Sequence, residues 1–280
     1  MLTTDSRPSV LYRHLLRRID ELGVPYGREN SFKMAHQRMI QDRLLIGIKT
    51  ANLAPTTFFD IAFELGMPIQ CHADLLPHMA DTNAVFFGIE DRAEGCVCKA
   101  YLEFWDKVRD QVHQTGSKKP LLLHLGVKWD TAQPGHYEVA RYTCHPLLST
   151  RDVMRRMANI YPANDLPSTS QTALNIVRQG LKRNPAASLL YLEVSESDNP
   201  RHSFDVNLYK TGLRVADIAH ELHQAATQFN LACAAVEAQL LQLGSCPLGH
   251  LSGGIDRYGR EFLSVYGEIQ AFEVNGTFIA

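Results

Sequence analysis

The chain has 280 residues, of which 45% are hydrophobic and 21% are charged, values that suit a soluble globular protein with a sizeable core. Its formal net charge of -2 excludes a general affinity for nucleic acid or for an anionic membrane surface. Any site for an anion must therefore be a local cluster of Lys and Arg. We expect residues 1–280 to form one domain, as a monomer or a homodimer.

The N-terminus and the cysteines indicate the cellular compartment in which the protein is expected. The first segment, MLTTDSRPSVLYRHLLRRID, carries too many charges for a secretory signal, and the chain contains no long apolar run of membrane-spanning length. The six cysteines are scattered and lack the spacing of a zinc site or of a disulfide framework. We therefore expect a cytoplasmic protein with buried thiols and no metal site.

The first predicted elements are a helix and a hairpin. SRPSVLYRHLLRRIDELG places its apolar residues on one stripe, which predicts an amphipathic helix. SFKMAHQRMIQDRLLIGIKTAN then favours a hairpin that turns at Gln41 and Asp42, although a helix remains open as an alternative. In the hairpin, one face would carry His36, Arg38, Arg43, Leu45, Gly47 and Lys49.

Four later stretches share one pattern. They are AVFFGIEDRAEGCVCKAYLEF, LLLHLGVKWDTAQPGHYEVARYTC, SLLYLEVSESDNPRHSFDVNLYKT and GHLSGGIDRYGREFLSVYGEI. Each has an apolar strand, a polar turn and a second strand that ends on a tyrosine, which predicts a β-hairpin. The four tyrosines occupy the same phase and are Tyr101, Tyr142, Tyr209 and Tyr266.

Helices are predicted between these hairpins. STRDVMRRMANIY opens with Ser149 and Asp152 in the spacing of a capping box. TSQTALNIVRQGLKRN and VADIAHELHQAATQF also carry one apolar face each. Helices packed on the apolar strand residues would leave the polar and tyrosine residues on the other face of the sheet. That face is either exposed to solvent in an open sheet or enclosed in a barrel, and the four tyrosines in phase favour the barrel.

With this pattern in place, the sequence resembles the ABBA-type prenyltransferases, including the dimethylallyltryptophan synthases and the cyanobacterial peptide prenyltransferases. The match is best at Lys99-Ala100-Tyr101, a Lys-x-Tyr motif, and it covers most of residues 30–270. The resemblance implies an α+β fold in which repeated αββα units form a ten-stranded antiparallel β-barrel surrounded by helices. It also implies transfer of an isoprenyl group from an allylic diphosphate to an indole, phenol or peptide side chain, with release of diphosphate, as in natural-product biosynthesis.

The resemblance implies roles for residues on the inner face. Lumen cations would bind the diphosphate, and the candidates are Arg43, Lys49, Lys99 and Lys128. A ring of tyrosines would shield the allylic cation from water, and the candidates are Tyr101, Tyr142, Tyr191, Tyr209 and Tyr266. The sequence has no DDxxD-like acidic cluster to hold a magnesium-bridged diphosphate, so we expect direct binding by cations with no required cofactor. A bound magnesium ion is compatible with this interpretation.

The general base is the least defined role. Many family members carry a glutamate on the first hairpin, whereas the hairpin as predicted here offers only His36 and Arg38. The base candidates are His36, Glu90 and Glu193, with Glu138 and Asp205 also expected on the inner face. Each of them can instead serve as a structural partner of a lumen Lys or Arg.

Two other classes of protein remain open at this point. One is a guanidine-modifying enzyme of the pentein-like αββ-propeller type, which would use a cysteine such as Cys246. The other is a non-catalytic barrel that binds a small molecule. In the second case the inner-face cations would lack an anionic partner, which is unfavourable for buried charge.

Overall fold

The computed structural model describes residues 9–92, 95–161, 169–197 and 199–270. The strands are β1 (Gly27–Ala35), β2 (Arg38–Lys49), β3 (Ala84–Arg92), β4 (Gly95–Glu103), β5 (Leu121–Asp130), β6 (Tyr137–Cys144), β7 (Leu190–Glu196), β8 (His202–Asn207), β9 (Leu248–Ile255) and β10 (Glu261–Gln270). The helices are α1 (Val10–Leu22), α2 (Pro55–Glu64), α3 (Gln70–Leu75), α4 (Trp105–Thr115), α5 (Thr150–Ile160), α6 (Thr169–Arg183), α7 (Ala219–Gln228) and α8 (Cys233–Leu243).

The ten strands form one closed antiparallel barrel. Each strand pairs with its neighbours in sequence, and β1 also pairs with β10. Closure leaves none of these strands with an unpaired edge. The predicted ten-stranded barrel surrounded by helices is therefore confirmed, and the alternatives of an open sheet and of a propeller with separate blades are wrong.

Outward-facing strand residues pack beneath the helices in two large apolar clusters. On one side, Phe204, Val206 and Val265 are fully buried against α5, α6 and α7. On the other side, Phe87 and Ala100 are fully buried against α1 and α2. Burying a large apolar side chain contributes roughly 1.5–3 kcal/mol. Because side chains alternate along a strand, fixing this face outward points the intervening residues into the lumen.

The first hairpin is real, but its turn lies at His36 and Gln37 and not at Gln41 and Asp42. The polar pair at 41–42 forms a β-bulge, since two residues of β2 lie opposite Phe32 alone. Asp42 has a φ of 50°, which is the backbone irregularity that this bulge needs. The hairpin therefore begins earlier than predicted, at Gly27.

The helices agree with the sequence where one apolar stripe is present. The Ser149 side chain accepts a hydrogen bond from the Asp152 backbone N–H and caps α5, as predicted. The sequence prediction omitted α2, α3, α4 and α8. Of these, α8 carries apolar residues on both faces, with Leu243 buried and Leu241 89% exposed. None of the helices in the described ranges combines the length and apolar character needed to cross a membrane.

Candidate active site in the barrel lumen

The lumen contains a cavity of about 140 Å³. It is lined from the middle of the strands to the strand ends that connect to helices, and its walls combine charged groups, aromatic rings and leucines. Such a concave site with a few convergent polar groups is typical of ligand binding. Its lining includes Glu29, Arg43, Leu45, Lys49, Phe86, Lys99, Tyr101, Glu103, Trp105, His124, Tyr142, Leu190, Leu192, Asp205, His250 and Tyr266.

Toward the hairpin turns, the lumen is occupied by buried ion pairs. Glu90 lies 2.6 Å from Arg92, 3.3 Å from Arg43 and 3.5 Å from Lys99. Burial alone would raise the pKa of Glu90, but Lys99 and Arg43 hold this pKa well below its ordinary value. Glu90 is therefore a fixed anion that organises cations, and it is unsuited to be a general base.

A second cluster surrounds Glu196. Its carboxylate lies 2.6 Å from Lys128, 2.8 Å from Arg201 and 3.3 Å from Arg257. Arg257 also pairs with Glu138 at 2.8 Å. Lys128, predicted to bind diphosphate, is thus engaged with Glu196, and neither Lys128 nor Arg201 belongs to the cavity wall. Arg201 is a buried cation of this cluster that the sequence analysis missed because it lies in the turn before β8.

Two guanidinium nitrogens in this region have no partner among the described residues. Arg43 Nη1 and Arg201 Nε are buried and make no hydrogen bond. Leaving a buried donor unsatisfied costs about 1–3 kcal/mol, and more when the group is charged. Because Arg43 lines the cavity beside Lys99, an anionic ligand there would supply the missing acceptor.

Two lumen lysines change protonation state near neutral pH. Burial, opposed by Glu90, lowers the pKa of Lys99 to about 7. The same balance lowers the pKa of Lys33, on β1, to about 8. A bound anion would stabilise both ammonium groups and raise these pKa values again.

Three tyrosines converge above the cations. The Tyr101 and Tyr142 rings meet edge to face with centroids 5.6 Å apart. The Tyr266 hydroxyl accepts a hydrogen bond from Arg43 Nη2 at 3.2 Å. Gly126 makes room for the Tyr101 ring, because a Cβ at position 126 would lie 2.1 Å from a Tyr101 ring carbon. These three predicted tyrosines therefore line one cavity with Arg43 and Lys99.

Tyr209 lies just beyond the end of β8, in a short 3-10 turn. Its hydroxyl donates to Glu29 Oε1 at 2.5 Å, and its ring meets the His250 ring edge to face with centroids 5.7 Å apart. Tyr209 therefore contacts the lumen residues Glu29 and His250, but it is not a strand residue and does not line the cavity, so the predicted role in shielding an allylic cation is not supported by its position.

Tyr191 and Glu193 lie outside the lumen, contrary to prediction. Both point to the outer face of β7, where the Tyr191 hydroxyl donates to Glu193 and Arg156 of α5 pairs with the same carboxylate at 2.9 Å. The neighbouring His145 and Arg156 lower the pKa of Glu193 to about 2. The inner face of this strand is provided by Leu190 and Leu192.

His36 is also misplaced in the prediction. It is exposed at the tip of the β1–β2 turn, because β2 begins three residues before the predicted turn. Arg38 is exposed beside it, whereas Arg43, Leu45 and Lys49 face the lumen as predicted.

The carboxylate that the sequence analysis missed on the first hairpin is Glu29. It lies on β1, lines the cavity and is 8% exposed. Burial raises the pKa of Glu29 above its ordinary value, with His250 and Tyr209 opposing that shift. The alternation of Glu29, Ser31 and Lys33 was the signal that could have extended the predicted strand back to this residue.

A ring of titratable groups surrounds Glu29. His250 Nδ1 lies 2.8 Å from Asp205 Oδ1, and His250 Nε2 lies 3.9 Å from Glu29. Burial alone would lower the pKa of His250, but Glu29 and Asp205 outweigh it and raise this pKa to about 9. Burial raises the pKa of Glu103 to about 7 and lowers that of His124 to about 4. His250 is therefore an internal cation at neutral pH, and His124 is neutral.

No cluster of three or more His, Cys, Asp or Glu side chains in the described ranges is arranged to hold a metal ion. Cys246, the nucleophile of the propeller alternative, lies outside the barrel and packs against the outer apolar cluster. Burial raises the pKa of its thiol.

Comparison with protein-family models and with curated proteins finds no match for this sequence. Several solved structures share its fold, and two of them have TM-scores above 0.5. The 6-dimethylallyltryptophan synthase of Micromonospora olivasterospora, in complex with DMASPP and Trp, has a TM-score of 0.52 at 13% identity over 87% of this chain and 81% of its own. AnaPT of Neosartorya fischeri has a TM-score of 0.51 at 12% identity over 89% of this chain and 80% of its own. The closed ten-stranded barrel and these matches together give the chain the fold of the ABBA-type prenyltransferases.

Proposed function

We propose that this protein transfers an isoprenyl group from an allylic diphosphate to an aromatic or peptide side-chain acceptor, releasing diphosphate. The observation that carries the proposal is the unpartnered Arg43 Nη1 in a cavity that also contains Lys99 and three tyrosines. A buried cationic site without its acceptor points to an anionic ligand. The aromatic wall beside it suits an allylic group. The solved 6-dimethylallyltryptophan synthase with the same fold is in complex with DMASPP and Trp, which supports this pairing of substrates.

In the first step, the allylic carbon–oxygen bond breaks and both electrons leave with the diphosphate. Arg43 and Lys99 would bind the leaving group and stabilise its developing charge. Lys49, the other predicted diphosphate ligand in the cavity wall, lies at the far end of β2 in register with Ala84 and Glu103, so it is not placed to contact the same group. Each cation about 4 Å away contributes on the order of 4 kcal/mol at an effective dielectric constant of about 20. This arrangement needs no magnesium, although a metal bound by the diphosphate itself is compatible with it.

The allylic cation that remains must be kept from water. Tyr101, Tyr142 and Tyr266 would face it with their rings, and a desolvated cation–π contact is worth roughly 2 kcal/mol. The same rings exclude water from the electrophile. The acceptor then forms the new bond to the allylic carbon and loses a proton.

Glu29 is the proposed acceptor of that proton. It is a lumen carboxylate whose pKa is raised by burial, as a general base operating near neutral pH requires. His250 and Tyr209 would hold it in place and favour its ionised form. Asp205, on the far side of His250, would orient the imidazolium.

A direct test is to incubate the purified protein with dimethylallyl, geranyl or farnesyl diphosphate and a panel of indoles, phenols and peptides. We expect pyrophosphate release together with an acceptor whose mass increases by one prenyl unit. Tight donor binding without pyrophosphate release for every pair would favour the non-catalytic barrel and contradict the proposal.

Donor binding should be coupled to proton uptake. A lysine with a pKa of about 7 is only about one-tenth protonated at pH 8, whereas beside a diphosphate it would be fully protonated. We therefore expect binding of dimethylallyl S-thiolodiphosphate at pH 8 to take up about one proton. Calorimetry in two buffers of different ionisation enthalpy measures this number, which Lys99→Met should reduce. Binding without any proton uptake would contradict the assignment of Lys99.

The ratio of free prenyl alcohol to prenylated acceptor should show whether the tyrosines shield the allylic cation from water. Tyr266→Ala opens a gap beside the electrophile, so we expect a larger share of free prenyl alcohol relative to prenylated acceptor, while Tyr266→Phe keeps the ring and should have a milder effect. Chromatography of the two products measures the ratio. Tyr258, which is 67% exposed on the β9–β10 turn, provides the control variant Tyr258→Ala. Equal loss of both products in Tyr266→Ala would mean that the ring only supports the fold.

A further inference from the structure

The cavity has a strongly acidic part, which we call the acidic ring and define by Glu29, Glu103 and Asp205. These three carboxylates line the cavity from β1, β4 and β8. They lie toward the strand ends that connect to helices, beyond the tyrosines as seen from Arg43 and Lys99. The lumen is therefore divided into a cationic part near the hairpin turns and an acidic part at the opposite end.

The described cations beside the acidic ring are fewer than its carboxylates. His250 is the cation inside it, and this imidazolium is shared by Asp205 at 2.8 Å and Glu29 at 3.9 Å. Among the described residues, Glu103 has His124 alone within ion-pair distance, at 3.9 Å, and His124 is neutral because burial lowers its pKa to about 4. His250 and Lys49 lie farther away and oppose the burial that raises the pKa of Glu103. Lys49 also lines the cavity, but it is partly exposed.

The hydrogen bonds of the ring are incomplete as well. Tyr209 donates to Oε1 of Glu29, and Oε2 receives no hydrogen bond from the described residues. The Glu103 carboxylate receives none from them either, although its side chain is only 15% exposed. Carboxylate oxygens that line a cavity without donors from the described residues are open to hydrogen bonds from a bound ligand.

We infer that the acceptor carries an ammonium or guanidinium group, which binds in the acidic ring between Glu29 and Glu103. This inference rests on the proposed prenyl transfer and names the class of acceptor. A cation there would donate hydrogen bonds to the free oxygens and offset the excess negative charge, and charge-assisted bonds of this kind are the strong ones. The nucleophilic part of the acceptor would then lie toward the tyrosines, where the allylic group is formed.

Neutral acceptors lack this interaction and anionic ones are repelled. An uncharged indole or phenol would leave the carboxylates desolvated without a partner, which is unfavourable. A cationic acceptor also complements the anionic donor, so binding of one should favour binding of the other. The barrel would thus select its acceptor by charge as well as by ring shape.

The test uses acceptor pairs that differ in charge but not in scaffold. One pair is tryptamine and 3-ethylindole, and the other is acetyl-Gly-Arg-Gly-amide and the same peptide with citrulline in place of arginine. Binding to the protein saturated with dimethylallyl S-thiolodiphosphate is measured by calorimetry. We expect the cationic member of at least one pair to bind about tenfold tighter or more than its neutral partner, and indole-3-propionate to bind more weakly than 3-ethylindole.

Two variants test whether the preference for a cationic acceptor comes from the acidic ring. Glu103→Gln removes one charge with little change in shape and should erase most of the difference between the members of a pair. Asp60→Asn, on the exposed surface of α2, removes a carboxylate outside the barrel and should leave the difference intact. Equal affinity within both pairs, or a preference that survives Glu103→Gln, would overturn the inference. Failure of the proposed function would differ, because the donor analogue would then not bind or no pyrophosphate would be released with any acceptor.

Discussion

Lys99→Met is expected to weaken binding of the prenyl diphosphate by about tenfold to a thousandfold, or roughly 1.4 to 4 kcal/mol. Lys99 lines the cavity beside Arg43, and removing its ammonium removes one of the charges that would contact the leaving group. Methionine keeps the apolar stem of the side chain, so packing of the lumen changes little. Calorimetric titration with dimethylallyl S-thiolodiphosphate measures the loss.

The ion pairs around Glu90 make this variant interpretable. Without Lys99, Glu90 still pairs with Arg92 and Arg43, so no buried carboxylate is left without a partner and the melting temperature should change little. Lys49 lies at the acidic end of the lumen beside Glu103, so Lys49→Met should leave donor binding almost unchanged. Lys107→Met, on the outer helix α4 where Lys107 pairs with Asp81, is the matched control. Unchanged donor affinity in Lys99→Met would move the anion site away from this face.

The alternation of residues along the strands was enough to predict the barrel and much of its lumen. Arg43, Lys99, Tyr101, Tyr142 and Tyr266 were assigned to the inner face from the phase of their hairpins, and all five line the cavity. This works because a strand places successive side chains on opposite faces, and the helices bury only one of them.

Alternation along a strand does not identify the inner face where both faces carry polar and apolar residues. On β7, leucines line the cavity while Tyr191 and Glu193 point outward, where Arg156 and His145 satisfy the carboxylate. Periodicity identifies the residues that share a face, but it does not identify which face is inside. The partner on α5 that makes a polar outer face favourable is distant in sequence and could not be predicted from the strand.

The errors in the first hairpin have a different physical origin. Gln41 and Asp42 have the composition of a turn, yet they form a bulge that lets β2 continue past them. The misplaced turn assigned His36 to the lumen and cut β1 short before Glu29. Bulges and turns favour the same residue types, so the sequence alone could not separate the two here.

Glu29→Gln is expected to have the largest effect on acceptor prenylation, a loss of about a hundredfold to ten-thousandfold in turnover, because it removes the proposed base. Donor affinity should be almost unchanged, since Glu29 lies on the side of the tyrosines away from Arg43 and Lys99. Folding should tolerate the change, because burial raises the pKa of Glu29 and its ionisation therefore destabilises the fold as the pH rises above the ordinary glutamate range. The measurement is steady-state turnover alongside donor titration and thermal unfolding.

The pH profile distinguishes a base from a residue that only positions the acceptor. A base must be ionised, so wild-type turnover should fall as the pH drops through the raised pKa of Glu29. Tyr209→Phe deletes the hydrogen bond that opposes that shift, so this acidic limb should move to higher pH while turnover at its plateau is largely retained. Tyr26→Phe, which removes a hydroxyl bonded to Asp20 outside the barrel, should leave the limb in place. If Glu29→Gln keeps wild-type turnover, or if the acidic limb is the same in Tyr209→Phe and in wild type, the proton is accepted by another group in the lumen.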